Sequence, residues 1–471
     1  MSINPVIPVP VESNRDDPGQ QRRPSTNRDR AKRTLRSWSR AIPPLRRLLE
    51  HRDRLADDLV ELRAELWRFT EERKRFLHER MVTQPQAVFR ETTSDPQASD
   101  RSWMRHHPYS ELTAPIFARS APSAAAVDTP LVGRIIDAYH SSADQDHYGD
   151  ELWRRIGERH TDIHDALMRR DHDAVTNILR HPDTNDLFYG YEYFYRDGPI
   201  YVPVAIRDCA GRSKDVLVRL AEALALLPVE NPEAPHLWGT NVHLPAEEIV
   251  GRIEQRLGIE LTIQPVQGGF TGLAVGDRLL VDRMLHGAYY AHRVRELVAN
   301  RTRPHVLEIG AGLGYSAYYA YQMGLRDYTI VDLPMTNVAQ AYFLGRMLGP
   351  DRVLLEGEPE TGAAPDRIKI RTPSLLDDSH SFDLVLNADS LTEVGAVLAF
   401  EYVDRIFEMS DTLLSINHEA NEYCVAQLFD GNENVEIERF PFWLRTGYVE
   451  EIVRTRRPPE EPDRTATQPA R

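Results

Sequence analysis

RPHVLEIGAGLGYSAYYAYQMGLRDYTIVDLP, residues Arg303–Pro334, decides the fold. His305 to Ile309 is a short apolar run of the kind that forms a buried parallel strand. Gly310-Ala311-Gly312-Leu313-Gly314 follows at once. Tyr315 to Met323 then reads as a helix that stops at Gly324, and Tyr328 to Val331 as a second strand ending in Asp332. Strand, glycine loop, helix, strand and terminal acid make a nucleotide-binding βαβ unit. The glycines let the backbone approach a ligand, and the helix N-terminus offers unpaired N–H groups to the ligand's polar end.

The spacing of the glycines says which ligand. A dinucleotide fingerprint counted from Gly310 needs a third glycine at position 315, where Tyr315 stands. The spacing found, Glu308-x-Gly310-x-Gly312-x-Gly314, is shared by class I methyltransferases, so S-adenosylmethionine is the expected cofactor and a nicotinamide dinucleotide is disfavoured. Asp332, with Leu333 beside it, stands where a carboxylate accepts hydrogen bonds from both ribose hydroxyls. Glu308, beneath the loop, is placed to hold the amino group of the methionine moiety.

The rest of an α/β sheet reads outward from this unit. Thr336 to Leu348 has a helical pattern with Thr336 or Asn337 as its cap. Phe382 to Leu386 is a strand that leads into Asn387 and Asp389, and Thr412 to Ile416 is another that leads into His418 and Glu419. Val435 to Phe442 and Tyr448 to Thr455 supply a last antiparallel pair. Ser374 and Leu375 are placed to contact the adenine, and Asn387 to border the cofactor. Ligands of doubly wound sheets lie at the carboxyl ends of the strands, so these polar clusters are expected to meet in one crevice.

Before this domain the chain changes character several times. Residues 1–40 form a polar arm with nine Arg/Lys against four Asp/Glu, expected to have no fixed fold. In 41–84, Leu48, Leu55, Leu62, Phe69 and Phe76 recur every seven residues, and Leu45, Leu59 and Leu66 share the alternate row with Arg52 and Arg73. That is a coiled-coil pattern, expected to form homo-oligomers. Residues 85–130 read as a linker. Residues 131–300 read as a mostly helical cap over a substrate site, with short strands suggested by the alternation in Tyr189–Tyr195 and Ile200–Ile206. The Rossmann-like domain occupies 301–457, and 458–471 is a polar tail.

Composition excludes several classes. A net charge of −15 disfavours a nucleic-acid surface. Two cysteines, Cys209 and Cys424, are too few for a disulfide framework or a cysteine zinc site. The chain has no run of 18 apolar residues and no signal-like N-terminus, so a cytoplasmic location and no transmembrane segment are expected.

The block as a whole resembles the sugar O-methyltransferase family. The resemblance is carried by VLEIGAGLGYSAYYA (306–320), YTIVDLPMTNVAQAYFLG (328–345), FDLVLNADSLTEV (382–394), LLSINHEAN (413–421) and the preceding GLAVGDRLLVDRMLHGAYYAHRV (272–294). It spans about Gly272 to Trp443, over a third of the chain, and implies methyl transfer to a hydroxyl of a saccharide. An alcohol is a poor nucleophile until its proton leaves, so a positioned base is expected. His418 is the first candidate, with Glu419 or Glu393 to orient it and Asp389 as the alternative. Mg²⁺ held by Asp389, Glu393, His418 and Glu419 ranks below metal-free catalysis. Arg283, Tyr289 and Tyr290 are the expected substrate contacts. A non-sugar natural-product or lipid hydroxyl is the alternative acceptor, and a non-catalytic assembly protein the alternative class.

Overall fold

A computed structural model describes residues 117–120, 128–142, 151–188, 202–229, 240–262, 266–360, 366–377, 380–421 and 423–456. The basic arm, the heptad region, the tail and the Tyr189–Tyr195 alternation lie outside the described residues. The chain divides into Met1–Gln84 and Pro85–Arg471, and all the described residues belong to the second unit.

That unit opens with strand β1 (Phe117–Arg119) and helices α1 (Asp128–Ser142), α2 (Glu151–Gly157), α3 (Thr161–Met168) and α4 (His172–Arg180). The long α5 (Val202–Ala223) and α6 (Ala246–Leu257) follow, then β2 (Thr271–Val275), β3 (Arg278–Leu280) and α7 (Asp282–Leu297). Two expectations change here. The 85–130 stretch is not all linker: β1 pairs antiparallel with β2, and Asp128, buried at the start of α1, holds Arg346 and Tyr342. The described part of the Ile200–Ile206 alternation is no strand, because Val202 opens a 22-residue helix. Its later core positions, Val216, Leu217 and Leu220, keep the helical period.

The second half is built on β4 (His305–Ile309), α8 (Tyr315–Gln322), β5 (Asp327–Val331), α9 (Pro334–Leu348), β6 (Val353–Leu354) and β7 (Ile368–Arg371). It continues with β8 (Leu384–Ala388), α10 (Ala396–Met409), β9 (Thr412–His418), β10 (Val435–Pro441) and β11 (Tyr448–Thr455). The eight strands pair in the order β10-β11-β9-β8-β4-β5-β7-β6. Every pair from β9 to β6 is parallel, and β11 runs antiparallel to both neighbours. Doubly winding outward from β4, with a reversed β11, this is the Rossmann-like α/β sheet expected from the sequence. The start of α9 differs from expectation. Pro334 takes the first helical turn after Leu333 and no side chain caps it, because proline's fixed φ and missing N–H suit that position.

Strand residues alternate between two cores, as the two-residue period requires. Val306, Leu384, Leu386, Leu414 and Ile416 face one core, which also takes buried residues of α1, α5, α6, α7, α8 and α9. Leu307, Val385 and Leu413 face the other, under Ala399, Val403 and Ile406 of α10. The helical region is therefore continuous with the Rossmann core. Buried Arg219 and Asp215 of α5 pair at 2.9 Å, and Glu222 of the same helix accepts the Trp443 indole N–H at 3.0 Å. The Trp443 bond, with Arg219 Nη1 donating to Thr446 Oγ1 at 3.5 Å, places α5 beside the turn between β10 and β11. No helix among the described residues is long and apolar enough to cross a membrane.

Candidate active site

The carboxyl ends of β4, β5, β8 and β9 open into a cavity of about 370 Å³. One wall is the glycine loop. Gly310 has φ 74° and Gly312 φ 57°, in the left-handed region that favours glycine. A side chain at Gly310 would also run into Ser390, the residue after Asp389. The bare backbone of this loop is what brings peptide groups to the cavity wall. Gly314 precedes the first turn of α8 at φ 91° and packs on Leu344, so it shapes the loop from behind.

Two carboxyls face this wall, Glu308 buried and Asp332 half-buried. Glu308 accepts hydrogen bonds from Ser316 Oγ and from the Tyr328 hydroxyl at 2.9 Å. Burial raises its pKa to about 7, although both donors oppose the rise. Asp332, at the end of β5, accepts the Leu333 N–H at 2.8 Å and the Gln340 amide at 2.7 Å. Burial takes it to about 6. Leu333 lines the cavity beside it, and Tyr402 of α10 reaches the same wall.

A second polar cluster lies at the ends of β8 and β9. Asp389 has φ 59°, an uncommon conformation for a residue with a side chain. Its carboxylate accepts the Tyr448 hydroxyl at 2.6 Å and Arg445 Nη1 at 3.0 Å, with Arg283 3.8 Å away. Burial opposes its ionisation, but the two guanidiniums and Tyr448 hold its pKa below the ordinary value. His418 Nε2 lies 3.9 Å from Glu393 Oε1. The Ala420 N–H donates to His418 Nδ1 at 3.3 Å. By that bond the neutral ring carries its proton on Nε2, the atom facing Glu393.

Asp389, Glu393 and His418 offer ligand atoms within 4.8 Å of one another. The donor set fits a cation poorly. Both Asp389 oxygens are already hydrogen-bonded and two guanidiniums stand beside them, while His418 Nδ1 is taken by a backbone N–H.

Helix α7 supplies the third side. Arg283, His286, Gly287 and Tyr290 share one helical face and line the cavity. Gly287 permits close contact: a Cβ there would lie 2.6 Å from Tyr315 Cβ and 2.9 Å from Ser316 N. His286 and Tyr290 stack at 6.3 Å. Burial lowers the His286 pKa to about 3 and raises that of Tyr290, so both are neutral. Trp153 of α2 also reaches the cavity, which makes the helical region part of the site.

Of the residues singled out by sequence, Glu308, Gly310, Gly312, Asp332, Leu333, Asp389, Glu393, His418, Arg283 and Tyr290 meet around this cavity. Others do not. Glu419 turns outward to pair with Arg439. Tyr289 donates to Glu450 at 2.7 Å, because its place on α7 faces the sheet. Asn387 is fully buried and ties Ile309 O, the Leu391 N–H and Asn417 together beneath the cavity. Ser374 pairs with Thr372, and Leu375 packs towards the second core. The short turn they occupy presents Pro373 to the cavity instead. Sequence reading missed Trp153, His286, Tyr402, Arg445 and Tyr448. Only the three-and-four spacing of Arg283, His286, Gly287 and Tyr290 gave a usable signal.

No protein-family model and no curated protein matches the chain. Among solved structures it is similar to a Thermoplasma acidophilum protein, with 17% identity over 36% of this chain and 89% of that one, at a TM-score of 0.26. It is similar to an O-methyltransferase from Bacillus cereus in complex with SAH, with 12% identity over 36% and 80%, at 0.27. A magnesium protoporphyrin IX methyltransferase from Synechocystis PCC 6803 with bound SAM gives 17% identity over 36% and 80%, also at 0.27. The fold assignment rests on the strand order and not on these likenesses.

Proposed function

We propose that the protein binds S-adenosylmethionine and transfers its methyl group to a hydroxyl oxygen of a saccharide or glycoconjugate. The observation that carries this reading is one cavity with two facing halves. A glycine loop with Glu308 and Asp332 forms one half, and Asp389, Glu393 and His418 form the other. Bound S-adenosylmethionine supplies an activated methyl group on a sulfonium, so the chain's own residues need only align, enclose and deprotonate the acceptor.

Asp332 receives the ribose hydroxyls and Glu308 the ammonium. Tyr315, packed edge-on against Phe343 at 5.2 Å, occupies the position of the glycine that a dinucleotide site requires. Glu393 receives the acceptor proton, in place of the His418 expected from sequence, and His418 keeps its Nε2–H on the Glu393 side at 3.9 Å. This order follows from the Ala420 bond, which leaves the neutral imidazole as a donor on the cavity side. Asp389, held ionised by Arg445, Arg283 and Tyr448, is a weak base; it fixes Arg445 and Tyr448 around the acceptor. Trp153, His286 and Tyr290 offer neutral aromatic faces that suit a sugar ring, in keeping with the resemblance over 272–443. The same faces suit a flat non-sugar ring, which makes a natural-product hydroxyl the second reading.

Calorimetric titration with S-adenosylhomocysteine tests the cofactor, with NAD as the comparison and Asp332→Ala as the control. Saturable binding of S-adenosylhomocysteine alone, weakened about tenfold or more in the variant, is expected for a lost charge-assisted contact. Binding of NAD instead, or of neither, would overturn the reading. Methyl transfer to a panel of saccharides and phenols then separates the two acceptor classes.

A further inference from the structure

Helix α9 carries Thr336, Asn337 and Gln340 on a stretch that is otherwise apolar and buried. Gln340 is fully buried. Its single amide nitrogen donates to Gly312 O at 2.9 Å and to Asp332 Oδ2 at 2.7 Å. Both partners are acceptors, so only the –NH₂ end of the amide fits between them, and the orientation follows from chemistry. The amide oxygen, Oε1, has no hydrogen-bond partner among the described residues. Burying an amide with its oxygen unpaired is unfavourable, and a methionine of similar length would fill the same space without that cost. The energetic disadvantage makes sense if the two donated bonds do something that packing alone does not.

They join the two structures on which the proposed cofactor site depends. Gly312 belongs to the loop after β4, and Asp332 ends the neighbouring strand β5. Asn337, three residues earlier on α9, donates to Asp332 O at 3.2 Å and to Arg371 O at 2.9 Å, so it ties the end of β5 to the end of β7. Gln340 alone among these reaches both the glycine loop and the Asp332 carboxylate.

We infer that Gln340 is a positioning residue that sets the distance between the glycine loop and the Asp332 carboxylate, so that the amino-acid end and the ribose of one ligand are held in register. This rests on the S-adenosylmethionine reading above. With the amide in place the carboxylate presents its remaining lone pairs to the ribose edge. Without it, the carboxylate keeps the Ala311 N–H and Thr336, and the backbone the Gly310–Val331 bond at 3.0 Å, but the amide that fixes Gly312 against the acid is gone.

The test is calorimetric titration of the full chain with S-adenosylhomocysteine and with its 2′-deoxyribose analogue. The parent protein is expected to prefer S-adenosylhomocysteine by about tenfold, the effect of one hydrogen bond to a charged acceptor. Gln340→Met is expected to lose about tenfold in S-adenosylhomocysteine affinity and most of that preference, with a melting temperature within a few degrees of the parent. Equal loss for both ligands would assign Gln340 a purely structural role, and unchanged binding would remove it altogether; either result overturns the proposal. Should Gln340→Met fail to fold, Gln340→Glu keeps the shape and decides the matter. Protonated, its carboxyl can still donate to Asp332; ionised, it repels it. Its affinity deficit relative to the parent is therefore expected to widen from pH 6 to pH 8, and a constant deficit refutes the inference. A parent protein that binds S-adenosylhomocysteine at no pH overturns the cofactor reading and this one together, whereas normal parental binding with an unaffected variant overturns this one alone.

Discussion

Glu308 and Asp332 face the same cleft, and desolvation raises the pKa of both, to about 7 and about 6. A cationic ammonium and ribose hydroxyls bind the ionised forms, so binding must drive off any proton that burial has retained. S-adenosylhomocysteine affinity is therefore expected to rise from pH 5.5 to pH 8, by up to about tenfold per pH unit for each carboxyl still protonated. Titration in buffers of different ionisation enthalpy checks this, because it reads proton release directly; release at pH 6 and none at pH 8 is the expected pattern. The sign for stability is opposite. A carboxyl whose folded pKa is raised stabilises the fold below its ordinary pKa, and for Glu308 that contribution is lost as pH rises from 4.5 towards 7. On the other side of the cavity, Glu393→Gln is expected to slow transfer by about a hundredfold or more, the usual contribution of a general base. His418→Asn, which keeps a donor towards Glu393, is expected to lose less, and both variants should bind S-adenosylhomocysteine normally. A greater loss in His418→Asn would return the role of base to the imidazole. Glu308, Asp332 and the glycines were legible at this scale because spacing along one chain segment defines them. Arg445 and Tyr448 were not, since their significance comes from Asp389, more than fifty residues away in sequence.

At the level of elements, the parallel strands β4, β5, β8 and β9 were legible because buried strands are compact apolar runs with polar residues at one end. Strand β7 was not, because Ile368-Lys369-Ile370-Arg371 is short and amphipathic near the sheet edge. The alternation at Ile200–Ile206 misled because two-residue periodicity over a few positions is compatible with the start of a longer helix. Helix α7 depends closely on a single residue. Gly287 lies where α7 meets the first turn of α8, and even an alanine there would press on Tyr315 Cβ and on the Ser316 backbone. Gly287→Ala is expected to lower the unfolding free energy by about 1–3 kcal/mol, the range for overpacking a tight contact. It should also weaken S-adenosylhomocysteine binding, because Ser316 supports Glu308. Denaturant unfolding measures the first effect and calorimetry the second; stability and affinity equal to the parent would show that α7 can shift without consequence.

For the molecule as a whole, the helical region and the Rossmann-like sheet share one core, in which Leu131, Leu217, Ile253 and Leu285 lie with Val306, Tyr328 and Leu414. A fragment beginning at residue 301 would expose the helix face and sheet that these residues cover. It is expected to be aggregated or unfolded by circular dichroism and gel filtration, whereas residues 85–471 should unfold in one cooperative transition. A soluble, folded 301–471 fragment would show that the sheet is autonomous. Sequence by itself determined the βαβ unit, the positions of the principal strands along the chain and the acids that meet the glycine loop, because hydrophobic period, glycine spacing and strand-end polarity are local properties. Only the tertiary structure decided that Trp153 and one face of α7 enter the cavity, that Asp389 is matched to Arg445 and Tyr448, and that Tyr289, Asn387 and Glu419 turn elsewhere. Those outcomes depend on which helix faces and strand ends approach across the fold, and the sequence around each residue does not specify its distant partners.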